Sequence, residues 1–172
     1  MAEATLITLS DVQVYRSVSA TFDTNRFNAF ANSIQRLNLR GLLGDSLYFA
    51  FMADARTAGI YLDLLAGKSY LYSNETIQYY GLKPCLAFWW LATAAREGDL
   101  FLSNIGAIQF NNNPQQSFET AKEKERVALG YMAMAQGYAN DVIKFLNTNS
   151  SSYPLWKSTN ETNKTNFLTF RV

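Results

Sequence analysis

Residues Gly81–Arg96, which read GLKPCLAFWWLATAAR, decide the fold of this chain. Pro84 suits the first turn of a helix, where its missing N–H costs nothing, and almost no polar face follows it. A helix that is apolar all round has to be covered all round, either by its own domain or by a neighbouring subunit. Phe88, Trp89 and Trp90 are consecutive and point in three directions around this helix, so both kinds of cover stay open.

The composition around this helix suits one domain with an ample core and a near-neutral surface. The chain has 172 residues, 48% of them hydrophobic, and a net charge of +1. Charged residues make up 17%, below the usual level of about 25%. Binding that is driven by DNA phosphates needs clustered Lys and Arg, and that pattern is missing. A DNA-gripping role is therefore not predicted, whereas a protein that DNA merely passes needs no such cluster.

The sequence offers little for catalysis or metal binding. It contains no histidine, which removes Ser–His chemistry and an ordinary zinc site. Cys85 lacks a partner base and is predicted to act as a small hydrophobe in the apolar helix. Gly41–Ser46 has neither the lysine nor the preceding strand of a phosphate loop, and Glu97 and Asp99 are interpreted as surface groups. We predict no enzyme, no catalytic residue, no cofactor and no metal.

The start of the chain and its apolar runs predict a soluble intracellular product. Residues Met1–Ser10 lack the basic and long apolar regions of a secretory signal. The apolar run Leu82–Ala95 is shorter than the ~20 residues that a membrane helix needs. No membrane association is expected.

Two helices are predicted in the first forty residues. Ser10–Asp11 would cap a brief helix that runs to about Ser17, and Asp23 or Thr24 would cap a longer one. Apolar residues recur in the longer segment at steps of three and four, which is typical of an amphipathic helix. Its predicted inner positions are Phe27, Phe30, Ala31, Ile34 and Leu37.

Two more helices flank the apolar one. The first is predicted from about Ser46 to Leu65, weakened or bent at Gly59, and the second from about Phe118 to Leu146. Asn104–Gln116 is predicted as a loop, and the apolar helix is predicted to run through Gly98 towards Leu102. The predicted inner positions are Leu47, Phe51, Ile60 and Leu64 in the first, and Val127, Tyr131, Met134, Tyr138, Val142 and Phe145 in the second.

Residues Gly67–Gly81 change to the alternation of a strand pair around Ser73–Glu75, so we predict a β-hairpin or aromatic loop. From Asn147 the composition shifts to Asn, Ser and Thr, which favours a polar linker. Leu168, Phe170 and Val172 would share one face of an extended segment. The predicted architecture is mainly α, a helical bundle of residues 1–146 with a small β-hairpin, followed by a linker and docking arm of residues 147–172.

Tyr and Trp are enriched in interfaces, and the arm ends in apolar residues. The predicted contact residues are Tyr70, Tyr72, Tyr79, Tyr80, Trp89, Trp90, Trp156, Phe167, Leu168 and Phe170.

Several short segments, taken in order, resemble one protein family. Leu6–Val12 resembles the opening of head-to-tail connector proteins from tailed phages of gut bacteria, including the crAss-like group. Leu42–Tyr48 resembles their LLG-x-x-LY turn into a helix. Gly67–Tyr70 and Tyr80–Pro84 resemble their aromatic hairpin and the start of their central helix, which Leu86–Ala92 continues. Asn111 and Asn112 would lie in the loop that follows.

The resemblance implies a mostly helical adaptor without catalytic residues. Such proteins stack as a ring, commonly twelvefold, beneath the portal protein and bridge it to the tail or to further neck proteins. DNA would pass through without sequence-specific binding, and the protein would be made in the host cytoplasm and reside in the virion neck. The alternative from another class is a small helical ligand-binding or regulatory module with an apolar pocket.

Overall fold

The computed structural model describes residues 5–19, 22–54, 59–97, 101–103, 106–108 and 121–157 of the chain. The fold is mainly α with a small antiparallel hairpin, as predicted. None of the helices in these ranges is long and apolar enough to cross a membrane. The elements are α1 (Leu9–Gln13), α2 (Thr24–Ile34), a π-helix (Gln35–Leu39), α3 (Arg40–Leu43), α4 (Asp45–Asp54), α5 (Ile60–Ala66), β1 (Lys68–Tyr72), β2 (Glu75–Tyr79), α6 (Lys83–Arg96), β3 (Phe101–Ser103), β4 (Gly106–Ile108) and α7 (Ala121–Thr148).

The apolar helix α6 is the centre of the fold, and its own chain covers it. Eleven of its 14 residues are buried. The long helix α7 packs along one side, while α1, α2 and the π-helix contact it elsewhere. Trp90 is completely buried and Trp89 nearly so. Of the two kinds of cover that the sequence left open, the structure therefore has the intrachain one.

Alanines of α7 face α6 and let the two helices approach closely. Ala128, Ala135 and Ala139 are buried, whereas Met134, a predicted inner position, is 43% exposed. The middle of the buried stripe is thus shifted by about one residue from the predicted one. Tyr131, Val142 and Phe145 are buried as predicted. The physical reason is volume: α6 supplies bulky aromatic side chains, so its partner supplies small ones.

The first two helices are capped by side chains. Thr8, not Ser10 or Asp11, caps α1 in a capping box: its hydroxyl accepts from the Asp11 N–H, and the Asp11 carboxylate accepts from the Thr8 N–H. α1 ends at Gln13, earlier than predicted. Asp23 caps α2 by accepting from the Arg26 N–H at 2.7 Å, which confirms that prediction.

The π-helix changes which residues reach the core. Its wider turn delays the return to the inner face, so Leu39 is fully buried while Leu37, a predicted inner position, is 71% exposed. The buried Gln35 accepts a hydrogen bond from the Leu6 N–H at 2.6 Å. This bond fixes the segment before α1 against the bundle.

The helix predicted from Ser46 to Leu65 is two helices, α4 and α5. Gly59 precedes α5 with a φ of +107°, a conformation that favours glycine, and residues 55–58 lie outside the described ranges. Leu47, Phe51 and Leu64 are buried as predicted. Ile60 is partly exposed instead, because it begins α5 rather than continuing the earlier helix.

The predicted hairpin is confirmed in β1 and β2, which pair antiparallel with Tyr70 opposite Ile77. Ser73 and Asn74 both have positive φ, which is the two-residue turn whose twist matches a hairpin. At its base Gly67 has a φ of +93°, and a Cβ there would lie 2.4 Å from the Tyr79 carbonyl oxygen. Only glycine allows this close approach of the two backbones.

A second, smaller hairpin lies where the sequence predicted helix and loop. β3 and β4 pair antiparallel, with Leu102 opposite Ala107, and α6 ends at Arg96. Strands of three residues are too short to show a recognisable alternation, which explains why they were missed. The remainder of the predicted loop, with Asn111 and Asn112, lies outside the described residues.

The body of the protein extends past the predicted boundary at residue 146. α7 ends at Thr148, and Tyr153 and Trp156 pack back as buried side chains. The Tyr153 hydroxyl donates to the Ile60 carbonyl at 2.7 Å, and the Trp156 indole N–H donates to Asn147 at 2.8 Å. Residues up to 157 therefore belong to the folded body. The predicted arm residues Phe167, Leu168 and Phe170 lie outside the described residues.

Candidate interaction surfaces

Most of the predicted aromatic contact residues that the structure describes are core residues. The buried ones are Tyr70, Tyr79, Trp89, Trp90 and Trp156. Their predicted contact role is corrected on this point, because large aromatic side chains gain most from burial and the chain has used them for its own core. Tyr72 and Tyr80 are exposed and remain candidates for contact.

A cluster of rings around Phe145 attaches the hairpin to α7. The Tyr79 ring stacks on Phe145 with centroids 4.1 Å apart, and the Tyr70 and Tyr153 rings approach it edge-on. The Tyr79 hydroxyl donates to the Leu64 carbonyl at 2.9 Å. Burial raises the pKa of Tyr79 well above its usual value, so this hydroxyl stays a protonated donor. The inner hairpin face is thus held firmly.

The opposite face of the hairpin points away from this cluster. Leu71 is 64% exposed and Tyr80 is 62% exposed, and we call these two residues the outer hairpin surface. Tyr72, nearer the turn, is partly covered by the Lys144 ammonium, which lies 4.2 Å from its ring centroid. The hairpin therefore has one anchored face and one face that is free for a partner.

A groove of about 690 Å³ lies between the end of α1 and α7. We call it the α1–α7 groove. The Phe88 ring stacks against Tyr138 with centroids 5.7 Å apart and contacts Tyr15 at 5.5 Å. These rings give the groove an apolar floor. Its lining residues are Val14, Tyr15, Arg16, Phe88, Met134, Gly137, Tyr138 and Asp141.

The two ends of the groove carry opposite charges. At one end the Arg16 guanidinium lies about 6 Å from the ring centroids of Phe88 and Tyr131 and contacts the Met134 sulfur. At the other end the Asp141 carboxylate is exposed. Within the part of the chain that the structure describes, neither Arg16 nor Asp141 forms an ion pair.

An ion pair fixes the α1 wall of the groove to the central helix. The Lys83 ammonium at the start of α6 donates to the Asp11 carboxylate at 2.8 Å. Partial burial alone would raise the pKa of Asp11, but the hydrogen bonds from Lys83 and Thr8 together outweigh it and lower that pKa below its usual value. Asp11 thus stays charged and links the cap of α1 to α6.

Cys85 is fully buried, and its thiol donates to the Ala135 carbonyl at 3.4 Å. Burial raises the pKa of the thiol well above its usual value, which keeps it protonated and unreactive. No three His, Cys, Asp or Glu side chains come together as possible metal ligands among the residues described.

The sequence predicted Tyr80 as a contact residue but did not single out Leu71 or Val14, which belong to the same two surfaces. Val14 is 77% exposed and Leu71 64%, but neither is aromatic, and outside the C-terminal arm only aromatic residues are predicted to make contacts. One signal was available for Leu71, because it alternates with Tyr70 and Tyr72 and so faces the other way. The groove joins α1 to a helix more than a hundred residues later, and no local pattern indicates that juxtaposition.

Comparison with known proteins identifies a family but no activity. No curated protein and no solved structure matches the chain. A family model matches residues 39–166, which is 128 of the 172 residues and runs from the end of the π-helix past the last described residue. The chain therefore belongs to the family of unknown function DUF6712.

Proposed function

We propose that this chain is a virion structural protein, a ring-forming subunit of a head-to-tail connector that bridges portal and tail around the DNA channel. The resemblance of its ordered segments to phage connector proteins suggests the class. One of those segments, Leu42–Tyr48, spans the end of α3, Gly44 with its φ of +74°, and the start of α4. Another, Tyr80–Pro84, leads from the hairpin into α6.

The observation that carries the proposal is the presence, on separate elements, of two different exposed surfaces that carry apolar side chains. A closed ring of identical copies is built from heterologous contacts, so each copy has to offer one surface to the next copy and another to the previous one. The outer hairpin surface and the α1–α7 groove are two such surfaces. Each stands on a firmly packed support, the ring cluster of Phe145 for the hairpin and the Phe88 stack for the groove.

The charge distribution supports a channel through which DNA slides. The net charge is +1, and several surface charges are neutralised close by, as in the pairs Arg40–Asp45, Lys68–Asp63 and Arg96–Glu125. Neutralised arginines and lysines release few counterions from DNA, so they give little non-specific affinity. A passage that binds DNA weakly lets the genome move through it.

Light scattering of the purified chain, alone and with a phage portal protein, tests the proposal. A twelvefold ring would have a mass of about 230 kDa, twelve times the 19.4 kDa of one chain. The double substitution Leu71→Ser and Tyr80→Ser should reduce assembly without changing the thermal unfolding of the chain. Leu129→Ser is the matched control, because Leu129 is exposed on α7 but belongs to neither surface.

A chain that stays monomeric in both conditions, and takes up an apolar small molecule, would support the ligand-binding alternative instead. That alternative predicted that the aromatic helix lines a pocket. Phe88 is the residue of α6 in the groove lining, and Trp89 and Trp90 are buried elsewhere in the core.

A further inference from the structure

We infer that the α1–α7 groove receives the segment Asn166–Val172 of a neighbouring copy. This assignment rests on the proposed function and adds to it the site where one subunit holds the next. The segment reads NFLTFRV, and it lies beyond the last residue that the structure describes, Lys157.

The groove has the chemistry to bind an apolar peptide that carries one positive charge. Its floor is formed by the Phe88 and Tyr138 rings, and its wall by the exposed Val14. Asp141 places a carboxylate without an ion-pair partner, among the residues described, at one end. Arg16 at the other end of the groove repels a positively charged side chain of the peptide. The positive charge of the bound peptide should therefore lie at the Asp141 end, which sets the direction of the peptide.

The segment matches this arrangement in side chains and in length. If the bound segment is extended, Leu168 and Phe170 share one face and can supply the apolar contacts, while Arg171 belongs to the opposite face, which would be towards the rim. Three extended steps separate Leu168 from Arg171, about 10 Å. On α7, Met134 and Asp141 are seven residues apart, which is also about 10 Å. With Arg171 at Asp141, Leu168 therefore lies beside Met134.

The connecting chain allows the segment to lie well away from the described body of its own subunit. Nine residues, numbers 158–166, join the described body to Phe167, and fully extended they span about 30 Å. One such contact is weak, because ordering the segment offsets much of the gain from its burial. In a ring the contact is repeated, and neighbouring contacts hold the segment at high effective concentration.

Disulfide trapping between two differently tagged full-length copies tests the assignment. One copy carries Met134→Cys and the other Leu168→Cys, and they are mixed, with and without portal protein, and oxidised mildly. Cys85 is buried and does not react in the folded chain. We expect a mixed disulfide dimer at a yield at least about fivefold above that of a control pair with Leu129→Cys in place of Met134→Cys, since effective concentration governs the yield.

Charge reversal within the same trapping pair supplies a second measurement, which asks whether the yield depends on the proposed contact between Arg171 and Asp141. Asp141→Arg and Arg171→Asp, introduced singly in the trapping pair, should each lower the yield by about threefold to tenfold, and together they should restore it. Unchanged thermal unfolding of both variants shows that the fold is kept.

Two results would overturn the assignment. The first is a yield of mixed dimer no higher than that of the control pair, while light scattering still shows assembly. This result would exclude the groove as the binding site of the segment and leave the connector proposal standing. A chain with both cysteines that closes only on itself shows that the segment binds its own body and not a neighbour. If the chain neither assembles nor cross-links, both proposals fail together.

Discussion

Replacing Trp90 with alanine should remove a large part of the stability of the chain, whatever its state of assembly. Trp90 is fully buried in the centre of α6. Its ring lies 5.1 Å from the Phe22 ring and 5.0 Å from the Phe27 ring, and its indole N–H donates to the Phe27 carbonyl at 3.2 Å. Truncation of a buried aromatic side chain to alanine costs about 3–5 kcal/mol, against a total free energy of unfolding of about 5–15 kcal/mol.

Trp90→Phe measures how much of that loss comes from the indole hydrogen bond and from the extra volume of the indole ring, because phenylalanine keeps a buried aromatic ring. The Phe27 carbonyl would lose its indole partner, worth about 0.5–1.5 kcal/mol. The smaller ring would leave a cavity of roughly 40 Å³, which at about 24 cal/mol per Å³ adds about 1 kcal/mol. We therefore expect a loss of about 2 kcal/mol for this variant, roughly half of that for alanine.

Urea unfolding followed by the circular dichroism of the helices measures both losses, at two protein concentrations that differ tenfold. Because the chain itself covers Trp90, the losses should not depend on concentration. Tyr80→Ala, at an exposed aromatic position, should change the free energy of unfolding by less than about 0.5 kcal/mol. A Trp90→Ala loss below about 1 kcal/mol, or one that disappears on dilution, would refute the reasoning and return Trp90 to an intersubunit surface.

Three further outcomes test other parts of the structure. Gly67→Ala should lower the free energy of unfolding by about 2–5 kcal/mol, measured by heat or urea, because it adds a backbone clash to a positive φ. Gly44→Ala, with open space around the added Cβ, should lower it by about 1–2 kcal/mol. Equal losses would contradict the close approach of the two backbones at Gly67. Cys85 should resist alkylation at pH 8 in the folded chain and react once urea unfolds it, and rapid labelling without urea would contradict its burial. Asp11→Asn should lower stability by about 0.2–1 kcal/mol at pH 7, because it removes the charge that pairs with Lys83. Because the pKa of folded Asp11 lies below its ordinary value of 3.8, this loss should shrink as the pH of the unfolding assay falls from 3.8 through the folded pKa, and a pH-independent loss would refute the ionic role.

The central helix and the first hairpin could be predicted because their signals are local. Pro84 and the apolar run after it specify α6, and alternation around a two-residue turn specifies β1 and β2. The π-helix has no such signal, and it is the reason that Leu37 is exposed although it fits a helical stripe. The inner face of α7 depended on its partner, because alanines become core residues only against the large rings of α6.

Which aromatic side chains are exposed was harder to predict than the fold, for a reason that lies in the side chains themselves. Aromatic residues gain free energy from burial in a core as well as in an interface, so their type does not distinguish the two. Tyr79 is buried because it contacts Leu64 and Phe145, which are distant from it in sequence. Trp156 is buried against the last turn of α7, where its indole N–H donates to Asn147. Exposure depends on these tertiary contacts, and the sequence pattern does not contain them.

The burial of α6 by its own chain limits where the proposed assembly could make its contacts. Since the most apolar helix is already covered, the assembly proposed above has to use peripheral elements, and the outer hairpin surface and the α1–α7 groove are two exposed surfaces of this kind. Leu71 and Asp141 are exposed, whereas Trp90 is fully buried. Substitutions at the first two should alter association and leave unfolding unchanged, because their side chains are exposed, while substitutions at Trp90 should alter unfolding first. Leu71 and Asp141 lie outside the core, so substitutions at these two positions can test the proposed assembly without unfolding the subunit.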